Sequence, residues 1–298
     1  MARRKASSHG ASHPQKGGTA PGPRAETGPD TRSQHRFGKG RPAGGTRPPL
    51  DPGLLFGHHA VFAALSNPNR HVLAIWCTAD LAGQVAAVLS DRPDDRTPAP
   101  PPPTVMEKAE IDRKLPEGSV HQGLIARVEP LPEVAIEDLL ELTEGDPKAT
   151  VVVLDQVTDP HNVGAILRST AAFGAAGVIV QDRHAPPMTA TLAKSASGAV
   201  DICPIVRVTN LARAMSQLKD AGFWCVGLAE ETETDLASAD LTGRTALVLG
   251  AEGDGLRRLT RETCDVLVRL PTIAPIHSLN VSAAAAIALH QCKVVKMR

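Results

Sequence analysis

Three segments in the second half of the chain hold the polar residues best placed for chemistry. They are DQVTDPHNVGAILR at 155–168, LVLGAEGDG at 247–255 and SLNVS at 278–282. Each joins an apolar run to a turn-rich stretch with a few carboxylate, amide, guanidinium or hydroxyl groups. None matches a Walker loop, a GxGxxG fingerprint or a metal-ligand spacing. Apolar strands that end in glycine-rich loops indicate a site where backbone approaches a ligand closely.

The elements that carry these segments alternate between strand and helix. Short β-branched runs predict strands at 151–154, 178–180, 205–208, 223–227, 246–249 and 266–270. Helices are predicted at 162–173, 189–199, 211–220, 256–263 and 282–290. Continuous apolar strands that alternate with helices are typical of a parallel sheet covered on both faces.

The preceding part of the chain predicts a smaller α/β module at 53–130. Its elements are a helix at 57–65, a strand at 71–77, a helix at 81–89 and a strand at 120–128. Between the second helix and the last strand, residues 91–104 include four consecutive prolines and form a predicted loop. Residues 131–148, rich in acidic residues, are predicted to form a hinge or a linker helix before a domain at 149–298.

Residues 1–52 differ sharply in composition from the rest. Up to Asp51 there are ten basic against three acidic residues, a net charge of about +7 that the remainder balances. Crowded with Gly, Pro, Ser and Thr, this segment has too few apolar residues to offset its ordering entropy. We expect a disordered basic tail, which could be a solubilising extension or could attach loosely to nucleic acid.

Composition also limits the function classes. The five cysteines are scattered without a CxxC pair, which favours a reducing compartment and argues against disulfides or zinc. Tyrosine is absent, so a base-stacking platform is improbable and any RNA would be held through phosphate, ribose and backbone contacts. Without a secretory h-region or a long apolar span, we expect a soluble cytoplasmic protein with no membrane and no metal partner.

The three segments resemble the signature motifs of the SpoU, or TrmH-like, class of RNA ribose 2′-O-methyltransferases within the SPOUT superfamily. The resemblance covers nearly everything after Leu54. FGHHAV at 56–61 and HQGL at 121–124 look like the amino-terminal substrate-binding domain, of the ribosomal L30e-like type, of one branch. That branch methylates a guanosine in the peptidyl-transferase loop of 23S rRNA. GAEGDGLRRLTRE at 250–262 is especially similar to it.

The resemblance implies a fold, a cofactor and partners. The larger domain would be an α/β fold with a parallel sheet and a trefoil knot built from roughly residues 247–290. S-adenosylmethionine (AdoMet) would bind at the knot without a metal, and a homodimer would act on 23S rRNA or tRNA. The implied cofactor-binding positions are Leu249, Gly250, Gly253, Leu270 and Leu279.

The catalytic positions implied by the resemblance are Arg168, Asn162, Glu252, Ser278 and Asn280. Methyl transfer to a hydroxyl requires alignment and loss of its proton. The family proposal makes the matching arginine a base, but a guanidinium pKa is very high, so we expect Arg168 to bind phosphate and stabilise the developing alkoxide. Asn162 and Glu252 could instead be helix caps, and capping could explain one of Ser278 and Asn280.

Other residues near the motifs are given structural or neutral roles. Asp155 and Asp159 end a strand and enter a turn, which aspartate does routinely. His161 and His277 are interpreted as local variation, because the family has no regular histidine at either position. Ala274 stands where many members have glycine, and we expect it to leave the cofactor site intact.

Two alternative functions remain open from the sequence, and a third is disfavoured. The chemistry could be kept with a tRNA or another rRNA site as substrate, although the amino-terminal module favours rRNA. The chain could also be a catalytically silent RNA-binding or ribosome-assembly protein, which the intact catalytic set opposes. A nicotinamide-linked oxidoreductase is disfavoured because no glycine-rich loop with a following acidic residue closes a βαβ unit.

Overall fold

The computed structural model of the 298-residue chain describes residues 53–92, 98–275 and 278–297. The predicted tail at 1–52 lies outside the described residues, as does His277. The described part contains two sheets. We call the region of the first sheet, residues 53–128, the amino-terminal module and that of the second, residues 149–297, the parallel-sheet domain.

The amino-terminal module is a four-stranded mixed sheet in the order β1-β4-β2-β3. Its strands are β1 Leu54–Phe56, β2 Val72–Cys77, β3 Thr104–Val105 and β4 Leu124–Val128. Its helices are α1 His58–Ser66, α2 Ala82–Ser90 and α3 Lys108–Asp112. β4 is antiparallel to both β1 and β2, and β3 is parallel to β2.

Both predicted helices and both predicted strands of this module are present. β1, β3 and α3 were not predicted, because each is too short to show a period in the sequence. The predicted strand at 120–128 begins only at Leu124, since Gln122 has a left-handed φ of 54° and Gly123 one of 80°. That backbone turns and cannot pair as a strand.

A helix follows the module in the predicted linker. α4, Ile136–Leu142, buries Ile136 and Leu139 against the core of the second sheet. Leu139 packs so closely over β6 that a Cβ added at Gly177 would lie 2.8 Å from its Cδ1. The predicted linker therefore includes a packed element, and the proposed domain boundaries stay a prediction.

The parallel-sheet domain has six strands in the order β10-β8-β9-β5-β6-β7, all pairs parallel. The strands are β5 Thr150–Leu154, β6 Gly177–Gln181, β7 Ile205–Val208, β8 Trp224–Leu228, β9 Thr245–Leu249 and β10 Val266–Val268. The helices are α5 Pro160–Phe173, α6 Ala190–Ala196, α7 Leu211–Asp220, α8 Arg258–Thr263 and α9 Val281–Met297.

The core explains why the central strands read as unbroken apolar runs. All five residues of β5 and all five of β9 are buried, because side chains on alternate positions enter two different clusters, one on each face of the sheet. The predicted α/β class with a doubly covered parallel sheet is confirmed. The trefoil knot stays a prediction.

Several predicted helix and strand ends were wrong by a few residues. The helix predicted to 199 ends at Ala196, because Ser197 and Gly198 have left-handed φ values of 49° and 90°. The strand predicted to 270 ends at Val268, and the last helix continues past 290 to Met297. Among the helices of the described residues, none is long and apolar enough to cross a membrane.

Candidate active site at the carboxyl edge of the parallel sheet

The first two motifs meet because β5 and β9 are neighbours in the sheet. Leu154 pairs with Leu249, so the loops that leave these strands emerge side by side. The first loop leads into α5, whose N-cap is Asp159: its carboxylate accepts a hydrogen bond from His161 N, and Pro160 occupies the first turn. The carboxyl edge of a parallel sheet is where α/β folds bind ligands.

One side chain from each motif joins a hydrogen-bonded cluster. Asn162 Nδ2 donates to Glu252 Oε1 at 3.0 Å, and Asn280 Nδ2 donates to the same oxygen at 2.6 Å and to Asn162 Oδ1 at 3.0 Å. Val281 N lies 3.4 Å from Glu252 Oε1. Asn162 is buried, and Glu252 is exposed. The Glu252 carboxylate therefore holds together side chains that are far apart in the sequence. Asn162 lies 90 positions before Glu252 and 118 positions before Asn280.

Asn280 also caps the last helix with its other side-chain atom. Its Oδ1 accepts hydrogen bonds from Ser282 N at 2.9 Å, Ser282 Oγ at 2.5 Å and Ala283 N at 3.3 Å. These backbone donors require an acceptor, so they fix the amide with Nδ2 toward Glu252. The capping alternative for Asn280 is confirmed together with its place in the cluster.

The capping alternatives for Asn162 and Glu252 were wrong. Asn162 lies inside α5, where Asp159 is already the N-cap. Glu252 does not cap α8, whose N-cap position is Arg257, five residues later. Both side chains are instead engaged in the hydrogen-bonded cluster with Asn280.

The loop at 250–255 is held in a tight turn. Ala251 N donates to Gly255 O at 3.2 Å and Gly255 N donates to Ala251 O at 3.0 Å. A Cβ added at Gly250 would lie 2.1 Å from Gly255 C and 2.2 Å from its oxygen, so only glycine fits there. Gly253 has a φ of 85°, and no atom of the described residues lies within 4 Å of where its Cβ would be.

A cavity of about 700 Å³ opens beside this loop. Every residue with an implied cofactor role lines it: Leu249, Gly250, Gly253, Leu270 and Leu279. Three of the implied catalytic residues, Glu252, Ser278 and Asn280, also line it. The volume lies in the range of about 300–1,000 Å³ that is usual for small-molecule sites.

The chemistry of the walls suits a nucleoside that carries positive charge. Leucine side chains and exposed backbone provide apolar contacts and hydrogen bonds, as an adenosine requires. The lining acids Glu230, Glu231, Glu252 and Asp254 outnumber the arginines Arg261 and Arg269. Both arginines are paired, with Glu231 and Asp235 respectively, so the net local charge is negative.

The end of β8 and the segment after it were not singled out in the sequence, yet Leu228, Ala229, Glu230 and Glu231 line the cavity. The hydrogen bond from Arg261 is the main cause that lowers the pKa of the exposed Glu231. The acidic run AEETETD at 229–235 directly follows β8, which pairs with β9. This position beside the glycine-rich loop could have indicated that the run contributes to the site. No comparable signal distinguishes Arg261 from other helix arginines.

Asp155 has the structural role that the sequence suggested. It is fully buried, and Arg257 contacts it through the backbone N–H at 2.9 Å and the guanidinium at 2.6 Å. Arg257 also donates to Gln181 Oε1 at 2.8 Å. A buried carboxylate needs such partners, and this pairing fixes the start of α8 beside the ends of β5 and β6.

Arg168 lies apart from the cavity. It is exposed on α5, six residues after Asn162, which is about 9 Å along the helix axis. Among the described residues it has no hydrogen-bond or ion-pair partner, and it does not line the cavity. The structure thus brings together four of the five implied catalytic residues and leaves the fifth free to meet an anion from solvent.

Metal ligation finds no support in the described ranges. No group of three or more His, Cys, Asp or Glu side chains there could hold a metal ion. All five cysteines are free, and burial raises the pKa of Cys203 to about 12.

Comparisons with known proteins point in one direction. The model of the SpoU rRNA methylase family matches residues 149–290. The chain is 42% identical over 250 residues to 23S rRNA (guanosine-2′-O-)-methyltransferase RlmB of Photobacterium profundum, covering 80% of this chain and 96% of that protein. The Vibrio cholerae protein of the same name is 44% identical over 247 residues, covering 80% and 95%.

Solved structures give the same fold. The SpoU methyltransferase AviRb from Streptomyces viridochromogenes, in complex with AdoMet, matches with a TM-score of 0.65 at 25% identity, covering 82% of this chain and 90% of that one. An AdoMet-bound rRNA methyltransferase from Sinorhizobium meliloti matches with a TM-score of 0.65 at 23% identity, covering 81% and 86%.

Proposed function

Because the chain belongs to the SpoU rRNA methylase family, we propose that it transfers a methyl group from AdoMet to the ribose 2′-hydroxyl of a guanosine in 23S rRNA. The RlmB proteins align with this chain over nearly their whole length. The aligned region therefore includes both the amino-terminal module and the parallel-sheet domain. The peptidyl-transferase loop is the proposed location of the guanosine, supported by the motifs at 56–61 and 121–124.

The observation that carries the proposal is the convergence of distant residues on one cavity. Residues 249–253, 270 and 278–280 come from three separate segments, and all contribute to its wall. The shape that Gly250 permits, and the negative lining, fit a cofactor with an adenosine and a sulfonium charge. The residues present therefore fit AdoMet.

When bound, AdoMet supplies a methyl group already activated by its positive sulfur. The chain's own residues then have to bind and orient the ribose hydroxyl, whose proton passes to solvent water as the oxygen–methyl bond forms and the sulfur–methyl bond breaks. In this proposal the backbone at Gly250, Leu270 and Leu279 holds the adenosine, a role supported by their position in the cavity wall. Glu252 keeps Asn162 and Asn280 in fixed orientations at the edge of this cavity. A preorganised amide pair can align the ribose hydroxyls without reorganisation during the reaction.

We assign Arg168 to the RNA phosphate beside the reacting ribose. Its guanidinium is exposed and unpaired within the described ranges, so it can meet an anion from solvent. A cation there stabilises the developing 2′-alkoxide and draws the RNA into line with the methyl group. Ser278, an exposed residue of the cavity wall, is a further candidate to hydrogen-bond the ribose.

Three further features are part of the proposal. A homodimer is supported by family membership and by Ile287 on α9, a large apolar side chain that is 45% exposed. A trefoil knot at roughly 247–290 and a cytoplasmic location are supported by the family and by the free cysteines.

The test is methyl transfer with purified components. Full-length protein, tritiated AdoMet and unmodified 23S rRNA are incubated, and the RNA is digested to nucleosides. The proposal predicts label in 2′-O-methylguanosine and in no other nucleoside. Label only on tRNA would move the substrate to the first alternative, and AdoMet that fails to bind by calorimetry would favour a silent RNA-binding protein.

A further inference from the structure

A buried ion pair joins the amino-terminal module to the parallel-sheet domain. Arg70 Nε lies 2.7 Å from Asp201 Oδ1, and the two side chains are only 6% and 2% exposed. The residues are 131 positions apart. A solvent-exposed ion pair contributes little to stability. Here both charged groups are buried, so bulk water cannot replace the partner if one of them is removed.

Hydrogen bonds extend this contact in both directions. Arg70 Nη1 donates to Glu129 O at 2.9 Å, at the end of the module, and Asn67 Nδ2 donates to Asp201 Oδ1 at 3.2 Å. Arg92 donates to Arg70 O at 2.6 Å. Arg70 is thereby fixed by its own module while its guanidinium reaches across to Asp201.

Asp201 belongs to a short segment, residues 197–201, that follows α6 and touches α1. Gly198 has a φ of 90°, and a Cβ there would lie 2.6 Å from His59 O and 2.8 Å from Ala63 Cβ. The backbone of the segment therefore lies directly on α1. Lys194 of α6 adds a contact over the ring of Phe56, with Nζ 5.8 Å from its centroid.

The same α6 packs on the helix that carries Asn162. A Cβ added at Gly164 of α5 would lie 2.6 Å from Ser195 Cβ, so the two helices are in close contact. His161 Nδ1 lies 3.2 Å from Ser195 Oγ. A continuous path of packed residues thus runs from the amino-terminal module through α6 to the start of α5.

We propose that Arg70 and Asp201 are positioning residues, which hold the amino-terminal module at a fixed place relative to the cavity so that RNA bound by the module presents its ribose to Asn162. This rests on the proposed function. Docking two RNA-contacting parts rigidly saves the entropy of aligning them for each turnover. The pair touches neither AdoMet nor the reacting atoms, so its effect is confined to the RNA.

The test compares Asp201→Asn and Arg70→Lys with the wild type as full-length proteins. Arg258→Gln is the matched control, because Arg258 pairs with Glu262 on the surface and is 80% exposed. Active-site concentration is taken from AdoMet stoichiometry by calorimetry, which removes any misfolded fraction. Rates on a 23S rRNA fragment and amide hydrogen exchange are then measured.

We expect kcat/KM for the rRNA fragment to fall roughly 10- to 100-fold in Asp201→Asn, as for a displacement of about 1 Å at a reacting centre. The Kd for AdoMet stays within about twofold, since distant sites act independently. Exchange rises in residues 57–66 and 197–203 and stays unchanged in residues 281–290. Arg70→Lys keeps the charge and gives a smaller loss, and the control matches the wild type.

The proposal is overturned if correctly folded Asp201→Asn or Arg70→Lys retains wild-type kcat/KM on the fragment. It is also overturned if kcat/KM falls without faster exchange at 57–66 and 197–203. A variant that does not fold is replaced by the other one of the pair. Amide hydrogen exchange tests whether the pair fixes the amino-terminal module, whatever the substrate is. The rate of the wild type on 23S rRNA tests the proposed function, so the two proposals can fail separately.

Discussion

Replacing Gly250 with alanine tests the geometry of the cofactor cavity most sharply. The added Cβ would lie 2.1 Å from Gly255 C and 2.5 Å from Leu256 N, against ordinary contacts of 3.4 Å or more. The neighbours are backbone atoms, which cannot rotate away as a side chain can. The loop at 251–255 must therefore move by about 1.3 Å, which is the difference between the two separations.

The cost follows from what that movement breaks. Overpacking of this kind costs about 1–3 kcal/mol, and the two backbone hydrogen bonds between Ala251 and Gly255 are worth about 0.5–1.5 kcal/mol each. We expect a loss of about 2–6 kcal/mol, which lowers the melting temperature by about 4–24 °C, because each kcal/mol corresponds to about 2–4 °C in a domain of this size. Because the loop is one wall of the cavity, AdoMet affinity falls roughly 100-fold.

The assay pairs calorimetric titration of AdoMet with a thermal melt. Gly243→Ala is the control, because nothing lies within 4 Å of a Cβ at that position, in the loop before the same strand. It should bind AdoMet as the wild type does. The reasoning is refuted if Gly250→Ala melts at the wild-type temperature and binds AdoMet with unchanged affinity.

Three further outcomes are expected. Glu252→Gln removes the charge shared by the amide donors of Asn162 and Asn280, so kcat falls roughly 10²-fold with unchanged circular dichroism; an unaltered kcat would mean that the cluster is only structural. Arg168→Met lowers kcat but leaves the calorimetric Kd for AdoMet unchanged, because Arg168 lies outside the cavity; weakened AdoMet binding would contradict this placement. Burial raises the pKa of the Cys203 thiol from 9.0 to about 12. Between these two pH values the thiol keeps its proton in the folded state and loses it in the unfolded state. The free energy of unfolding in urea with reductant should fall as pH rises above about 9, and Cys203→Ala should show a smaller fall; an equal fall in both proteins would exclude this thiol as a cause.

The sequence predicted the sheet well because its strands are buried on both faces. The five buried residues of β5 form a short run that is rich in β-branched side chains. Such a run indicates a strand because it is too short for a helix. Element ends were harder. Ser197 ends α6 in a left-handed conformation that serine rarely adopts, so its residue type did not indicate the end of the helix.

The candidate site was predicted from motif resemblance and could not have come from spacing alone. Asn162 and Glu252 share a hydrogen bond only because β5 and β9 lie side by side, a pairing that neither segment encodes locally. Arg70 illustrates the same limit. Arginine is usually a surface residue, and its buried partner Asp201 lies in another part of the chain, so nothing in the local sequence marks the pair.

The central claim, methylation of a 23S rRNA guanosine, is tested most directly by mapping ribose methylation across rRNA and tRNA in cells with and without the gene. We predict that one 2′-O-methylguanosine of 23S rRNA disappears on deletion and returns with the wild-type gene but not with Arg168→Met. An unchanged map, or the loss of a methyl group from tRNA alone, would contradict the account.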